Sequence, residues 1–545
     1  MRNSTEHTRH LAISIAQRAR TFVALLTIAL LLPLSLFSPM RASADDLAPE
    51  AAGDLDPSFG VGGKVTTDFF GSLDVADAMA IQADGKIVAA GVASTGSSGN
   101  FDFALARYNV DGSLDPSFGS AGKVTTQFPG NMAQAFSVAI QLDGKLVAAG
   151  RALSATSETT SDFALARYNT NGSLDVSFGS AGKVTTDFFG DDDAAFSVAI
   201  QSDGRVVAAG RASGSATEFG LTRYNGDGSL DANFGSAGKV TTTVATSAIA
   251  IQSDGRIATA GGGGNFELAR YNTDGSFDAS FGSEGKVTTV FFGASPDHAN
   301  AIAIQPDGKI VAAGLVRSPF ENFGLARYNR DGSLDTTFGI GGKVTTDIFF
   351  PDDGAKSIAI QGDGHIVAVG TALVFPGGFV LIRFNRDGSL DASFGSAGKV
   401  SPAGADARAV AIQADGKIVV AGLAGSPFGP ADFALARYIA GASTQPDFAL
   451  FFDPDTVNAQ AGTKVRVTVN INRTSGFTGN ITVTPPDATM GIKAKPSDSI
   501  TTADNSASFK LKIGGGASVG PHQLTFTGKD DAGRERTATV TLVVQ

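Results

Sequence analysis

The chain has 545 residues, with 42 Lys and Arg against 53 Asp and Glu, a formal net charge of −11, and no Cys or Trp. Without Cys there is no disulfide, no thiolate nucleophile and no Cys-ligated metal. The acidic balance excludes nucleic acid and anionic membranes as expected partners, and the length allows several domains.

The chain opens on a targeting pattern. Arg2, Arg9, Arg18 and Arg20 precede an apolar run over residues 21–38, and Ala42-Ser43-Ala44 supplies a small-residue cleavage site before Asp45. This predicts a secretory signal peptide over residues 1–44, cut after Ala44 on the general secretory route. The alternative is an uncleaved anchor, weakened by Pro33 and by a run close to the minimum span. No later apolar run is long enough to cross a membrane. Cleavage would remove five Arg and one Glu and leave a net charge of −15. That charge favours cations or basic partners.

From Leu55 a phrase of about sixty residues recurs seven times. L-D-x-S-F-G followed by G-K-V-T-T carries its Asp at positions 56, 115, 175, 231, 278, 335 and 391. An alternating A-I-Q segment, a D-G-K-I-V-A-A-G segment and an F-A-L-A-R-Y-N segment follow in fixed order. Periods of this size belong to propellers or solenoids, because one unit cannot bury its own apolar face. In the first copy, strand a ends in Ala78-Met79-Ala80-Ile81, b is Lys86-Ile87-Val88-Ala89-Ala90, c runs from Phe103 to Asn109, and d contains Lys123-Val124-Thr125-Thr126. Two x-D-G turns join a to b and c to d. Gly85 and Gly112 supply the positive φ of a tight reversal.

The phase of the repeat chooses the architecture. The first phrase in the chain is a d strand and the last is a c strand (433–438). A ring gains from this offset, because the N-terminal d can complete the sheet begun by the last a, b and c. The expected fold is all-β: a seven-bladed β-propeller over residues 45–440. Over roughly 54–438 these phrases resemble the delta-60 repeat, a bacterial β-propeller repeat of unassigned chemistry, and more distantly NHL-type blades. The resemblance implies a fold and a surface-binding role, and no catalytic residues.

Residues 441–446 read as a linker. Seven short β-rich runs follow over 448–544, which predicts a β-sandwich over 441–545. The pattern resembles bacterial immunoglobulin-like domains, without the Cys pair and Trp of antibody domains.

Among candidate residues, the repeated ones are assigned to architecture. Arg107, Arg167, Arg223, Arg270, Arg327, Arg383 and Arg437 share a strand face with Phe and Leu. Each is expected to be buried against a carboxylate, the repeated Asp being the obvious candidate. Asn109–Asp115 superficially resembles a calcium loop but has too few oxygen ligands, and turn geometry accounts for it. Gly516-Ala517-Ser518-Val519-Gly520 matches a nucleophile-elbow pattern but lies between strands, with no strand-to-helix turn. His298, His365 and His522 show no metal-ligand spacing.

Length variation falls in the b–c and d–a connections, on one rim, while the a–b and c–d turns are short on the other. The d–a loops carry acids beside Phe pairs: Asp74 and Asp77, Asp191, Asp192 and Asp193, Asp297 with His298, and Asp352 and Asp353. These are the candidate ligand residues, because variable loops on a rigid scaffold carry function. No catalytic residue and no cofactor is assigned; metal binding is left open, with calcium the ion considered. The leading reading is a secreted or cell-surface, non-catalytic binding or scaffold protein, monomeric, taking a protein, glycan or cation on its loop face. The alternatives are a calcium-assisted extracellular hydrolase or lyase using the loop carboxylates, and a structural surface or matrix component.

Overall fold

The computed structural model describes residues 51–95, 100–154, 159–214, 217–293, 296–317, 320–348, 354–372, 378–401, 405–425, 431–441, 447–452, 456–474, 479–488, 491–530 and 535–545. The leader expected over residues 1–44 lies outside them, as do Phe349, Phe350, Asp352, Asp353 and most of the 441–446 linker. The described residues form strands and no helix, so no helix among them is long and apolar enough to cross a membrane.

Seven four-stranded antiparallel sheets make up the repeat region. Blade 1 contains Asp74–Ile81 (a), Ile87–Ser94 (b), Phe101–Tyr108 (c) and Lys123–Thr126 (d), in that spatial order. Strand a of blades 2 to 7 is Ala133–Ile140, Ala194–Ile200, Ala248–Ile251, His298–Ile304, Gly354–Ile360 and Ala405–Ile412. Each strand a packs against the next, and Ala405–Ile412 packs against Asp74–Ile81, which closes the ring. Blade 7 is assembled from both ends: Ala405–Ile412, Ile418–Gly425 and Ala431–Tyr438 are completed by Lys64–Thr67, with Lys64 opposite Ala436 and Thr67 opposite Phe433. Strands b and c are almost wholly buried, and apolar clusters lie between successive blades. Gly85 and Gly112 take φ of 82° and 86°.

The c–d connection differs from the short turn expected of it. Strand d is only four residues long, and residues 109–122 include a second excursion after the D-G turn. Leu114 bridges back to Tyr108, the Asp115 amide donates to the Arg107 carbonyl at 2.8 Å, and the Gly122 amide donates to the Phe118 carbonyl at 2.9 Å. The L-D-x-S-F-G phrase is therefore a folded loop and not the start of strand d. The reason is the Arg of strand c. Arg107 Nε donates to Asp115 Oδ2 at 2.8 Å, its Nη2 donates to Ser117 Oγ at 3.1 Å, and its guanidinium lies 4.6 Å over the Phe118 ring. The loop wraps a buried cation.

A second invariant feature shapes the inner strands. In six blades strand a carries a β-bulge; in blade 1 the register shifts between Ala76 and Ala78, which leaves Asp77 unpaired. The facing residue of strand b is always the Gly of A-A-G or its equivalent, because the bulged carbonyl comes too close for a side chain. A Cβ on Gly150 would sit 1.9 Å from the Gln134 carbonyl oxygen, and one on Gly91 would sit 1.9 Å from that of Val75. Gly150→Ala should therefore force the bulge of blade 2 to shift, at a cost of about 1–3 kcal/mol typical of overpacking. Urea unfolding checks this; an unchanged midpoint would show that the bulge is not held by the glycine.

The C-terminal segment forms two sheets. One is ordered Asp447–Phe452, Lys464–Thr474, Ser506–Ile513, Ile492–Lys495; the other Thr456–Ala459, Glu535–Val544, Gly520–Asp530, Ile481–Thr484, Ile500–Thr502. They share one core, in which the Phe526 ring lies 5.3 Å from Phe452 and 5.1 Å from Phe509. Two strands go beyond the seven expected. Thr456–Ala459 pairs parallel to Glu535–Val544, and Ile500–Thr502 has only three residues. Both are too short to show an alternation.

Candidate functional site

The seven repeated Arg residues are 2–6% exposed, and each meets its own Asp at 2.7–2.8 Å: Arg107 with Asp115, Arg167 with Asp175, Arg223 with Asp231, Arg270 with Asp278, Arg327 with Asp335, Arg383 with Asp391, and Arg437 with Asp56. Each also donates through Nη1 to a main-chain carbonyl just after strand c of the next blade, Arg167 to Gly226 at 2.6 Å and Arg383 to Ala440 beyond the last c strand. Arg437 does the same to Val110 of blade 1, across the seam. The basic residue of the a–b turn gives each Asp a second cation, as Lys145 does for Asp175 at 3.0 Å; His365 takes that place beside Asp391 at 3.6 Å. Burial alone would push Asp115 up. The Ser117 hydroxyl and amide, with Arg107 and Lys86, outweigh it and hold the carboxyl at about 2. This set is a ring of blade-to-blade latches.

The loop-face acids divide. Asp74, Asp193 and Asp297 are fully buried, and Asp193 and Asp297 tie the d–a loop to the end of strand b. Asp193 accepts from the Phe188 amide at 2.7 Å and the Ser213 amide at 2.9 Å; Asp297 accepts from the Arg317 amide at 3.0 Å. Asp192 accepts from the Ser161 amide and hydroxyl, both at 3.0 Å. Burial pushes Asp74 and Asp193 up to about 6, with the neighbouring Asp68 and Asp432, and Asp187 and Asp162, adding to the shift. Asp191 and His298 are exposed, and Asp352 and Asp353 lie outside the described residues. Among the described residues, Asp74 and Asp193 fall in separate groups of acids. Phe69, Phe188 and Phe291 pack inward, Phe69 on Phe433 at 5.0 Å, while Phe70, Phe189 and Phe292 stay about half exposed.

Asp77 behaves differently. It is the bulge residue of blade 1, and adjacent inner strands bring Arg408 Nη1 to 2.5 Å and Gln134 Nε2 to 2.8 Å from its carboxylate. The same position in the other blades is Phe136, Phe196, Ser247, Asn300, Lys356 and Arg408, all partly or fully exposed. Neighbours touch around the ring: Phe136 and Phe196 meet edge to face at 5.8 Å, and Asn300 donates to the Ala355 carbonyl at 2.9 Å. Strand b adds Arg151 opposite Gln134 and Arg211 opposite Ala194. Arg151 lies 5.8 Å over Phe136, and the Nε groups of both Arg are buried without an acceptor. The loop-rim end of the inner strands thus joins two Phe rings to four cations, Arg151, Arg211, Lys356 and Arg408, against Asp77 and Asp406. It is positive within an acidic protein.

Sequence reasoning singled out Asp77 but missed its neighbours, although a trace was there. Between a residue that is Ala in six copies (Thr246 in the other) and a constant A-I-Q, one column reads Asp, Phe, Phe, Ser, Asn, Lys, Arg. Variation inside an otherwise fixed strand marks a position freed from the blade's own packing.

Comparison with known proteins bears on the repeats. Residues 82–118, 141–178, 201–234, 252–281, 305–338, 361–394 and 413–447 match the family model described as a domain of unknown function (DUF5122) beta-propeller. The seven matches fall one to each repeat. Each DUF5122 match begins at or near the Gln that opens the a–b turn, so the variable bulge column and the d–a loops fall outside all seven. No curated protein matches the chain. Among solved structures, domains 4 and 5 of the S-layer protein SbsC match at 15% identity over 34% of this chain and 91% of that one, with a TM-score of 0.13. A tetra-tandem repeat from the extending region of a large adhesion protein matches at 13% identity over 85% and 93%, with a TM-score of 0.11.

Proposed function

We propose that the protein is an exported, non-catalytic binding scaffold whose ligand site is the loop-rim mouth of the ring, and that the ligand is anionic with an apolar ring face, of the class of acidic glycans. The observation that carries this reading is the bulge column: one position per blade, chemically different in almost every blade, on strands otherwise alike. Phe136 and Phe196 offer ring faces for a sugar to stack on. Arg151 and Arg211 beside them hold unsatisfied N–H groups suited to a carboxylate or sulfate. The leader pattern supports export, and the C-terminal sandwich serves as an immunoglobulin-like spacer.

In this reading the acidic loops have a screening role. They surround the positive centre and oppose anions that lack the ring face. Uronic-acid oligosaccharides should bind the full chain with an affinity that falls with salt, and neutral oligosaccharides of the same length should bind at least tenfold more weakly. Arg151→Gln with Arg211→Gln should remove that preference while leaving the melting temperature unchanged, since neither guanidinium Nε is engaged in the blade. Equal binding of neutral and acidic sugars, or undiminished binding by the double variant, would remove the mouth as the site.

A further inference from the structure

We infer that the seam of the ring holds one calcium ion, at Asp68, Asp74 and Asp432. One carboxylate oxygen from each of the three lies within 4.8 Å of the other two. Two oxygens on opposite sides of a calcium ion at about 2.4 Å are separated by about that distance, and all-oxygen sets are the chemistry calcium takes. Asp74 is fully buried; its Oδ2 accepts from the Phe69 amide at 2.6 Å, but its Oδ1 is buried without a hydrogen bond. The Ser94 amide lies against this carboxylate and lowers its charge cost, but its hydrogen bond goes to the Leu73 carbonyl at 2.9 Å. Among the described residues no Lys, Arg or His forms an ion pair with any of the three. Lys123 donates to the main-chain carbonyl of Asp68 at 2.9 Å, and not to its carboxylate. Three mutually close acids with an orphaned buried oxygen and no paired cation leave a positive charge unsupplied. Asp68 is exposed, which gives an ion a route in.

The chain contains its own comparison. Asp187, Asp193 and Asp162 occupy the same three positions at the junction of blades 2 and 3 and are equally close. There both oxygens of Asp193 already accept main-chain amides, from Phe188 and Ser213. That triad lacks the orphan and is the weaker site. The other junctions lose acids at these positions: Gln127 and Ala133 beside Asp102, and Val290 and Asn265 beside Asp297.

Position gives the seam site its meaning. Asp68 and Asp74 flank the segment between the N-terminal strand Lys64–Thr67 and blade 1, and Asp432 lies on the last c strand of the ring. An ion there ties the start of the repeat region to its end, where no covalent bond does. This inference is independent of the glycan reading, and its experiment uses no glycan.

Calcium titrated into the chelator-treated full chain should raise the melting temperature with the logarithm of its concentration. One ion should bind per chain, and magnesium should produce at most a small part of the shift. Asp432→Asn and Asp68→Asn, one half-buried and one exposed, should each weaken calcium binding at least tenfold, and Asp162→Asn should leave it intact. Calorimetry counts the ions directly, whatever the stability of the variants. No bound calcium in the parent, binding that survives both seam variants, or binding lost only in Asp162→Asn would each overturn the assignment.

Discussion

Deletion of residues 55–67 should abolish cooperative folding of the ring. The segment does more than add four residues to a sheet. It carries Asp56, the partner of the buried Arg437 at 2.7 Å, and Phe59, the ring under that guanidinium at 4.7 Å. It carries Thr67, whose hydroxyl accepts from Tyr108 at 2.9 Å and so joins blade 7 to blade 1. Without it, strand Ala431–Tyr438 becomes an exposed edge with a stranded cation beneath, and such edges pair with other chains. Size-exclusion chromatography with light scattering should show oligomers, and urea unfolding should lose its single sharp transition. A truncated chain that stays monomeric with the parent's midpoint would refute closure as the source of ring stability.

Arg437→Met should cost about 3–5 kcal/mol, the usual effect of removing one member of a buried pair. Asp56 would remain enclosed with Lys417 at 3.0 Å as its one cation beside the Ser58 amide and hydroxyl, and the bond across the seam to the Val110 carbonyl would be lost. Combining it with Asp56→Leu should return part of the loss, because the uncompensated charge goes too. Chemical denaturation of both variants tests this; a cost under about 1 kcal/mol would make the latch ornamental. The pH dependence has a defined sign. Asp115 and its counterparts have carboxyls held below their unfolded range, so their contribution is present above about pH 4 and is lost as pH falls toward 2. Acid unfolding should therefore be steep in that window and shallower in the Arg437→Met variant.

The ring could be read from the phase of the phrases, because six copies of K-V-T-T and one of K-V-S precede or follow the other three strands in a fixed order and only a circle uses the leftover pieces. Arg107 and its six counterparts were legible for a similar reason: a cation on an apolar strand face must have an acid. The loop over 109–122 was not, since a wrapped loop and a continuing strand share the same turn residues. The burial of the loop acids was not legible either. Asp74 and Asp193 look like surface charge in a list of loop residues, yet their neighbours' main-chain amides draw them inward. The pairing of Asp77 with Arg408 spans the whole ring and follows only from closure, and the bulges that expose this column depend on a glycine that reads as ordinary strand.

The path from the ring to the C-terminal sheets leaves from the end of Ala431–Tyr438, which lies between Ile418–Gly425 and Lys64–Thr67 in blade 7. A pull on the tail is therefore delivered to a strand in the middle of a sheet and not to its margin. Eight pairs on one side, from Ile418 opposite Tyr438 to Gly425 opposite Ala431, and four on the other, bear it in shear along the strand direction and break together instead of one at a time. A protein tethered by its tail and held at its loop rim would load the clasp in its strongest direction, so the seam that completes the ring is also its mechanical anchor.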